Sequence, residues 1–285
     1  MKKKSTGERL EFYNFSDVTV EHLHRYAIAN DFIKNKVVLD IASGEGYGSY
    51  ILSKNASKVI GVDIDAEAVF DAQNKYNNAN LSFTVGSADK IPVDSNTIDV
   101  VVSFETIEHH DKHEEMILEI KRVLKSDGIL IMSSPDKEFY TDKTGQNNIF
   151  HIKELYFSDF KNLINSHFQQ TSYYFQKSYN FNSVISDENN YNQIEIFSGD
   201  NLGISKNKIE PLYNIVIASE NRFHMLKTSV FEGSNIKNLE TKQIVKINSF
   251  AIHNSFTFKV GKIICYPIFY LLNNKVKKWL KHRFL

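Results

Sequence analysis

The chain of 285 residues has one cysteine, Cys265. No disulfide can close within it, which fits a reducing compartment, and the sequence suggests no partners for a thiol nucleophile, so it reads as structural or incidental. No apolar run approaches the roughly 20 residues needed to span a bilayer. No apolar stretch follows the basic Met1–Gly7, as a secretory leader would require. The expected location is cytoplasmic, with peripheral contact at the inner face of a membrane as an extension. Net charge is missing too: 34 basic residues balance 34 acidic ones. That removes the bulk electrostatic case for a nucleic-acid partner. The balance hides an asymmetry, because no Asp or Glu follows Glu240 while lysines continue to Lys281 and Arg283. From Lys259 the tail has the spacing of one or two basic amphipathic helices, interrupted at Pro267, with Trp279, Leu280 and Phe284 among the apolar positions. It is expected to lie on anionic lipid, to dock on a partner enzyme, or to pack on its own domain.

A hydrophobic content of 42% and an aromatic content of 13% exclude global disorder. The length suits one large domain or a domain with an appendage. From Val37 to Ser134 the pattern alternates strand and helix. Short apolar runs at Val37–Ile41, Val59–Val62, Leu81–Val85, Ile98–Phe104 and Gly128–Ser133 read as buried strands. Helical spacing marks Tyr47–Lys54, Ala66–Tyr76 and Glu114–Leu124. This alternation predicts an α/β, Rossmann-like, doubly wound and mostly parallel sheet. After Pro135 the pattern predicts a helix over Ile152–Ile164 and strands over Gln170–Gln176 and Pro211–Ser219. The Asn- and Ser-rich stretch Asn180–Lys208 reads as an inserted loop. The domains expected are N-terminal lid helices over 1–35, a main domain over 36–220 with an insertion at about 177–210, and a C-terminal extension over 221–285.

The chemistry concentrates at the expected carboxyl ends of the strands, where open parallel sheets bind ligands. Asp40-Ile-Ala42-Ser-Gly44-Glu-Gly46-Tyr-Gly48 follows the first strand and opens a helix. Its glycines permit tight turns and close approach of backbone to ligand. An acid at the strand end would repel a phosphate but suits a ligand with an amino group and a sulfonium, such as S-adenosylmethionine. Asp63 ends the second strand, with Ile64 beside it, and a carboxylate there can accept both ribose hydroxyls. Ala88 and Asp89 follow the third strand, where an adenine amino group and ring nitrogen could be met. A lone Asp at any of these places is most simply a cap or turn residue. The serial arrangement of the three carries the argument.

These residues resemble the class I S-adenosylmethionine-dependent methyltransferases. The resemblance runs through Val37–Ser49, Gly61–Asp65, Ile98–His109 and Ile120–Lys125. More narrowly it points to the branch found with O-antigen and other surface-polysaccharide genes, through Gly7-Glu8-Arg9, Glu21-His-Leu-His-Arg-Tyr26 and His151-Ile-Lys-Glu-Leu155. It implies a seven-stranded sheet whose last strand, Pro211–Ser219, is antiparallel. It implies that Asp63 binds ribose, that Ala88 and Asp89 hold adenine, and that Phe104 and Glu105 line the cofactor site. Arg25 and Tyr26 would close over the methionine end. S-adenosylmethionine would be the cofactor and S-adenosylhomocysteine the product. Ser103-Phe-Glu-Thr lacks the Pro-Pro-aromatic motif of DNA adenine methyltransferases, and no Pro-Cys nucleophile for cytosine C5 exists.

An alcohol acceptor must lose its proton during methyl transfer, so a positioned base is expected. His109 and His110, just after the fourth strand, are the first candidates, and His151 the second. The cluster could instead bind a metal, but its loop spacing leads us to expect none. The acceptor implied is a sugar hydroxyl of a surface polysaccharide or its precursor. The alternatives are a small metabolite, quinone or natural product, or a non-catalytic scaffold.

Overall fold

The computed structural model describes residues 15–145 and 147–254. Gly7-Glu8-Arg9 and the basic tail from Lys259 lie outside the described residues. One compact unit extends to Ile236 and a second begins at Lys237.

The sheet begins with β1 (Val37–Ile41), β2 (Lys58–Asp63), β3 (Leu81–Val85) and β4 (Ile98–Ser103). These four pair in parallel, and β5 (Leu124–Pro135) adds to β4 in the same direction. Beyond them come β6 (Gln170–Tyr179), β7 (Asn182–Asp187), β10 (Tyr213–Ser219) and β11 (Ser229–Glu232). The order across the sheet is β11-β7-β6-β10-β5-β4-β1-β2-β3. β10 runs antiparallel to both neighbours, with Ile215 opposite Ser133 on β5 and Tyr174 on β6. The expected mostly parallel sheet with an antiparallel late strand is therefore present, and β7 and β11 extend it to nine strands.

The central strands are apolar on both faces because both faces are covered. Alternate residues enter two cores. Leu39, Ile41, Val101 and Leu130 pack under α4 (His113–Val123) and α5 (Phe157–Asn165). Val38, Val100, Val102 and Ile131 pack under α1 (Asp17–Ala29) and α2 (Tyr47–Ser53). On α4, Met116, Ile117, Ile120 and Val123 are fully buried, and each such side chain contributes roughly 1.5–3 kcal/mol of transfer free energy. Asp65 caps α3 (Ala66–Lys75) by accepting from the Glu67 and Ala68 amides.

Three expectations need correction. Asn180–Lys208 is no loop: it holds β7, the short α6 (Glu188–Tyr191) and a hairpin of β8 (Glu195–Asp200) with β9 (Gly203–Lys208). The helix expected from Ile152 starts at Phe157, because the Ile152 and Lys153 amides bond instead to the Glu108 carbonyl, at 2.8 and 3.1 Å. Residues 221–236 do not open a separate extension, since β11 pairs with β7 in the main sheet. In the second unit, α7 (Ser234–Asn254) continues to Asn254, and its side chains from Thr241 to Ser249 are exposed.

Candidate active site

A cavity of about 490 Å³ opens at the carboxyl ends of β1 to β4. The loop after β1 shapes one wall. Ala42 and Gly44 both take left-handed backbone, with φ of 58° and 53°. For Ala42 this conformation costs about 1–2 kcal/mol, and such strain persists where surrounding structure enforces it. A Cβ on Gly44 would meet nothing within 4 Å, so this part of the loop faces open space. Gly46 differs: a Cβ there would come within 2.6 Å of the Phe83 ring and 2.9 Å of Ala72. It serves the packing of α2 against α3 and β3 and does not line the cavity.

Asp63 ties this loop to the next. Its carboxylate accepts from the Gly44 amide at 2.7 Å and from the Asp65 amide at 2.9 Å. Beside it Ile64 is 73% exposed, a large apolar side chain left open on the cavity wall. Ala88 and Asp89 form the wall beyond β3. Asp89 receives Lys112 Nζ at 2.5 Å and the Ser87 hydroxyl. The hydrogen bond from Lys112 comes first in holding its carboxyl down at about 2.

Two residues assigned to the cofactor lie behind the cavity wall. Asp40 is 1% exposed and accepts from the Ser49 hydroxyl at 2.6 Å and from Tyr26 at 3.5 Å. Burial pushes its carboxyl up to about 7. Arg25 is fully buried, donates to Gln176 Oε1 at 2.8 Å, stacks 4.7 Å over the Tyr213 ring and stands 3.7 Å from Glu105. Neither is among the residues that border the cavity. Their neighbours do: Tyr26, Phe104 and Glu105 form the wall in front of them. Glu105 also has left-handed backbone, φ 51°, and accepts from the Ser133 hydroxyl at 2.6 Å.

The Tyr26 ring lies edge-on to Phe104 and Tyr47, at centroid distances of 5.1 and 5.7 Å, and against bare Gly48. A Cβ on Gly48 would sit 2.0 Å from that ring. Gly48→Ala is expected to displace Tyr26, lower stability by about 1–3 kcal/mol and weaken ligand binding several-fold. Urea unfolding and calorimetric titration of the same variant would show both effects together.

Three further groups border the cavity that the sequence did not single out: Tyr47, His22 and Lys112. Tyr47 adjoins Gly46, and its hydroxyl pairs with His22 Nδ1 at 2.9 Å. A polar-aromatic residue opening the helix after a glycine loop was the available signal. Lys112 had none, because its partner Asp89 is on another loop.

The histidines divide. His109 and His110 line the cavity, whereas His151 stands behind His109 with ring centroids 5.1 Å apart. His110 Nδ1 is buried without a partner while Nε2 meets Met116 Sδ at 3.2 Å, and burial lowers its pKa. Glu108, His109 and His151 converge, offering ligand atoms within 4.8 Å of one another. Glu108 is 1% exposed, and burial raises its carboxyl well above the usual range.

Known methyltransferases resemble this chain in sequence and in fold. Residues 39–132 match the family model described as a methyltransferase domain. Over 119 residues the chain is 32% identical to a probable S-adenosylmethionine-dependent methyltransferase of Mycolicibacterium smegmatis, covering 41% of this chain and 46% of that protein. Over 141 residues it is 25% identical to a ubiquinone biosynthesis O-methyltransferase of Pelagibacter ubique, covering 46% and 58%. The chain thus spans about half the length of the curated relatives it matches. A crystal structure of a SAM-dependent methyltransferase from Thermotoga maritima, a possible histamine N-methyltransferase, superposes with a TM-score of 0.52 at 16% identity. It covers 72% of this chain and 91% of that one, a likeness of fold.

Proposed function

We propose that this chain, whose residues 39–132 match a family model described as a methyltransferase domain, is an S-adenosylmethionine-dependent O-methyltransferase acting on a sugar hydroxyl of a surface polysaccharide or its precursor. The observation that carries the cofactor reading is the cavity at Asp63. A carboxylate held by two loop amides, an exposed Ile64 beside it and open space before Gly44 suit a ribose, a flat base and an extended chain respectively. The residues present therefore fit S-adenosylmethionine. When bound, it would supply an electrophilic methyl on a sulfonium: the acceptor oxygen would bond to the methyl carbon in line as the carbon–sulfur bond breaks, with S-adenosylhomocysteine as the leaving group.

The chain's own contribution is placement and proton handling. Asp63 orients the ribose, Ile64 and Ala88 border the base, and Tyr26 and Phe104 close the methionine side. Arg25 and Asp40 act through Glu105 and Tyr26 as positioning residues. His110 is the general base, since its buried Nδ1 is unengaged and it borders the cavity. Of the stretches that give the narrower resemblance, α1 brings His22 and Tyr26 to the cavity, and His151 stands behind cavity-lining His109. This supports a saccharide acceptor. The likeness to a ubiquinone biosynthesis O-methyltransferase supports a second reading, a lipid-quinone hydroxyl.

Calorimetric titration with S-adenosylmethionine tests the first step. Asp63→Ala is expected to weaken binding roughly ten- to hundredfold, as for loss of a charged hydrogen-bond partner. Absence of binding by the unaltered protein would end the proposal. Incorporation of labelled methyl groups into extracted glycans, compared with extracted lipids, decides between the two acceptors.

A further inference from the structure

We propose that Glu108, His109 and His151 form a divalent-metal site at the cavity edge, with its remaining positions open to acceptor oxygens. The acceptor role rests on the O-methyltransferase reading above, whereas metal binding itself does not.

The first argument is the state of Glu108. Its side chain is 1% exposed and neither carboxylate oxygen has a hydrogen-bond partner. A buried carboxylate without compensation costs several kcal/mol. A cation drawn into the same space would supply opposing charge in addition to that of Arg25. His109 Nε2 stands 3.8 Å from Glu108 Oε1, a separation that one ion can bridge with ligand bonds of about 2.0–2.2 Å.

The second argument is how the imidazoles are held. His109 Nδ1 lies 3.1 Å from the Phe150 carbonyl, and His151 Nδ1 lies 2.5 Å from Glu154 Oε1. In the tautomer in which each Nδ1–H donates outward, Nε2 is the nitrogen that can ligate a metal. Metal-binding histidines are characteristically oriented by a carbonyl or carboxylate in this way. The Glu154 side chain is itself only 6% exposed, so this support is built into the interior.

The third argument is that the two segments are tied by backbone. The Ile152 and Lys153 amides both donate to the Glu108 carbonyl. The convergence of residues 43 positions apart in sequence is therefore fixed by main-chain bonds as well as by side chains.

Two imidazoles and one carboxylate suit a borderline divalent ion such as Zn²⁺ or Mn²⁺ more than Mg²⁺, which prefers all-oxygen shells. Three protein ligands leave positions free, the pattern of sites that act on a substrate. His109 borders the cavity, so those positions face the place where an acceptor hydroxyl would arrive. There an ion would orient that oxygen and lower its pKa. His109 and His151 then serve as ligands, and His110 remains the base.

The test uses the full-length chain, stripped with chelator and titrated with Mn²⁺, with free ion read by electron paramagnetic resonance and Zn²⁺ as competitor. One bound equivalent, displaced by Zn²⁺, is expected. His151→Ala and Glu108→Gln should each weaken binding at least about tenfold, and Glu154→Gln by about 10- to 100-fold. Glu108→Gln removes an uncompensated buried carboxyl, so its thermal midpoint should match or exceed that of the parent and report an intact fold. Failure of the parent to bind Mn²⁺ more tightly than about 1 mM, the weak end of functional cation sites, would overturn the proposal. So would unchanged affinity in folded Glu108→Gln and His151→Ala. S-adenosylmethionine titration of the same samples keeps the two ideas separate. Loss of cofactor binding with retained Mn²⁺ would refute the methyltransferase reading and leave the metal site standing.

Discussion

Arg25→Ala is expected to destabilise the fold by about 3–5 kcal/mol, the usual cost of removing one partner from a buried charge network. The guanidinium is fully buried, and it is the cation around which Glu105 at 3.7 Å, the Gln176 amide oxygen and the Tyr213 ring are arranged. Glu21 belongs to the same network: burial raises its carboxyl, and Arg25 draws it back down. Truncation would leave a cavity and uncompensated acceptors. Arg25→Met separates these causes. If volume alone matters, Met should recover most of the loss. If charge matters, Met should fare about as badly as Ala. Urea denaturation of the three proteins decides it, and a loss below about 1 kcal/mol for Ala would be in the range of a surface ion pair and would refute the buried role.

Asp40→Asn is expected to act in the opposite direction, and only at higher pH. The folded-state carboxyl is raised from an ordinary 3.8 to about 7 by burial, against the two hydroxyls that donate to it. Between those values the folded chain holds a proton that the unfolded chain has released, so stability falls as pH rises through this window. The rise corresponds to on the order of 4 kcal/mol at 1.36 kcal/mol per unit. Asn keeps the shape and can still accept from Ser49, without the charge. The variant should match the parent near pH 4 and exceed its stability at pH 8. Thermal melts across that range in ligand-free protein test this, and a parent curve whose Asn difference is flat with pH would contradict it.

The methyltransferase-like half of the fold was legible because its signals are local. Each parallel strand is an unbroken apolar run, and each carboxyl end carries its own Asp or Gly. Asp63, Ile64, Ala88 and Asp89 all border the cavity as their strand-end positions implied. Arg25 was misplaced because an arginine on a helix gives no sign that its interior neighbours are acidic and aromatic. The strands within Asn180–Lys208 were invisible for a different reason. β9 is exposed throughout and β8 nearly so, while β7 buries Ser183 and Ser186 where apolar residues would have given alternation. The approach of His151 to Glu108 depends on backbone pairs between distant segments, which composition does not record.

The placement of α1 bears on when the protein becomes able to bind anything. This helix supplies His22 and Tyr26 to the cavity, yet it is anchored to the last strands of the first unit. His24 Nδ1 meets Ser183 on β7 at 2.9 Å and Nε2 meets Ser229 on β11 at 2.9 Å, with the ring held neutral by burial, its pKa near 4. The first of the described helices therefore waits for the last of the described strands. During synthesis the cavity-facing loops can form early from neighbouring strands, but their roof must be closed by contacts spanning some 200 residues. Such long-range closure is slow, and it makes the emerging chain incompetent for its ligand until about residue 232 has left the ribosome.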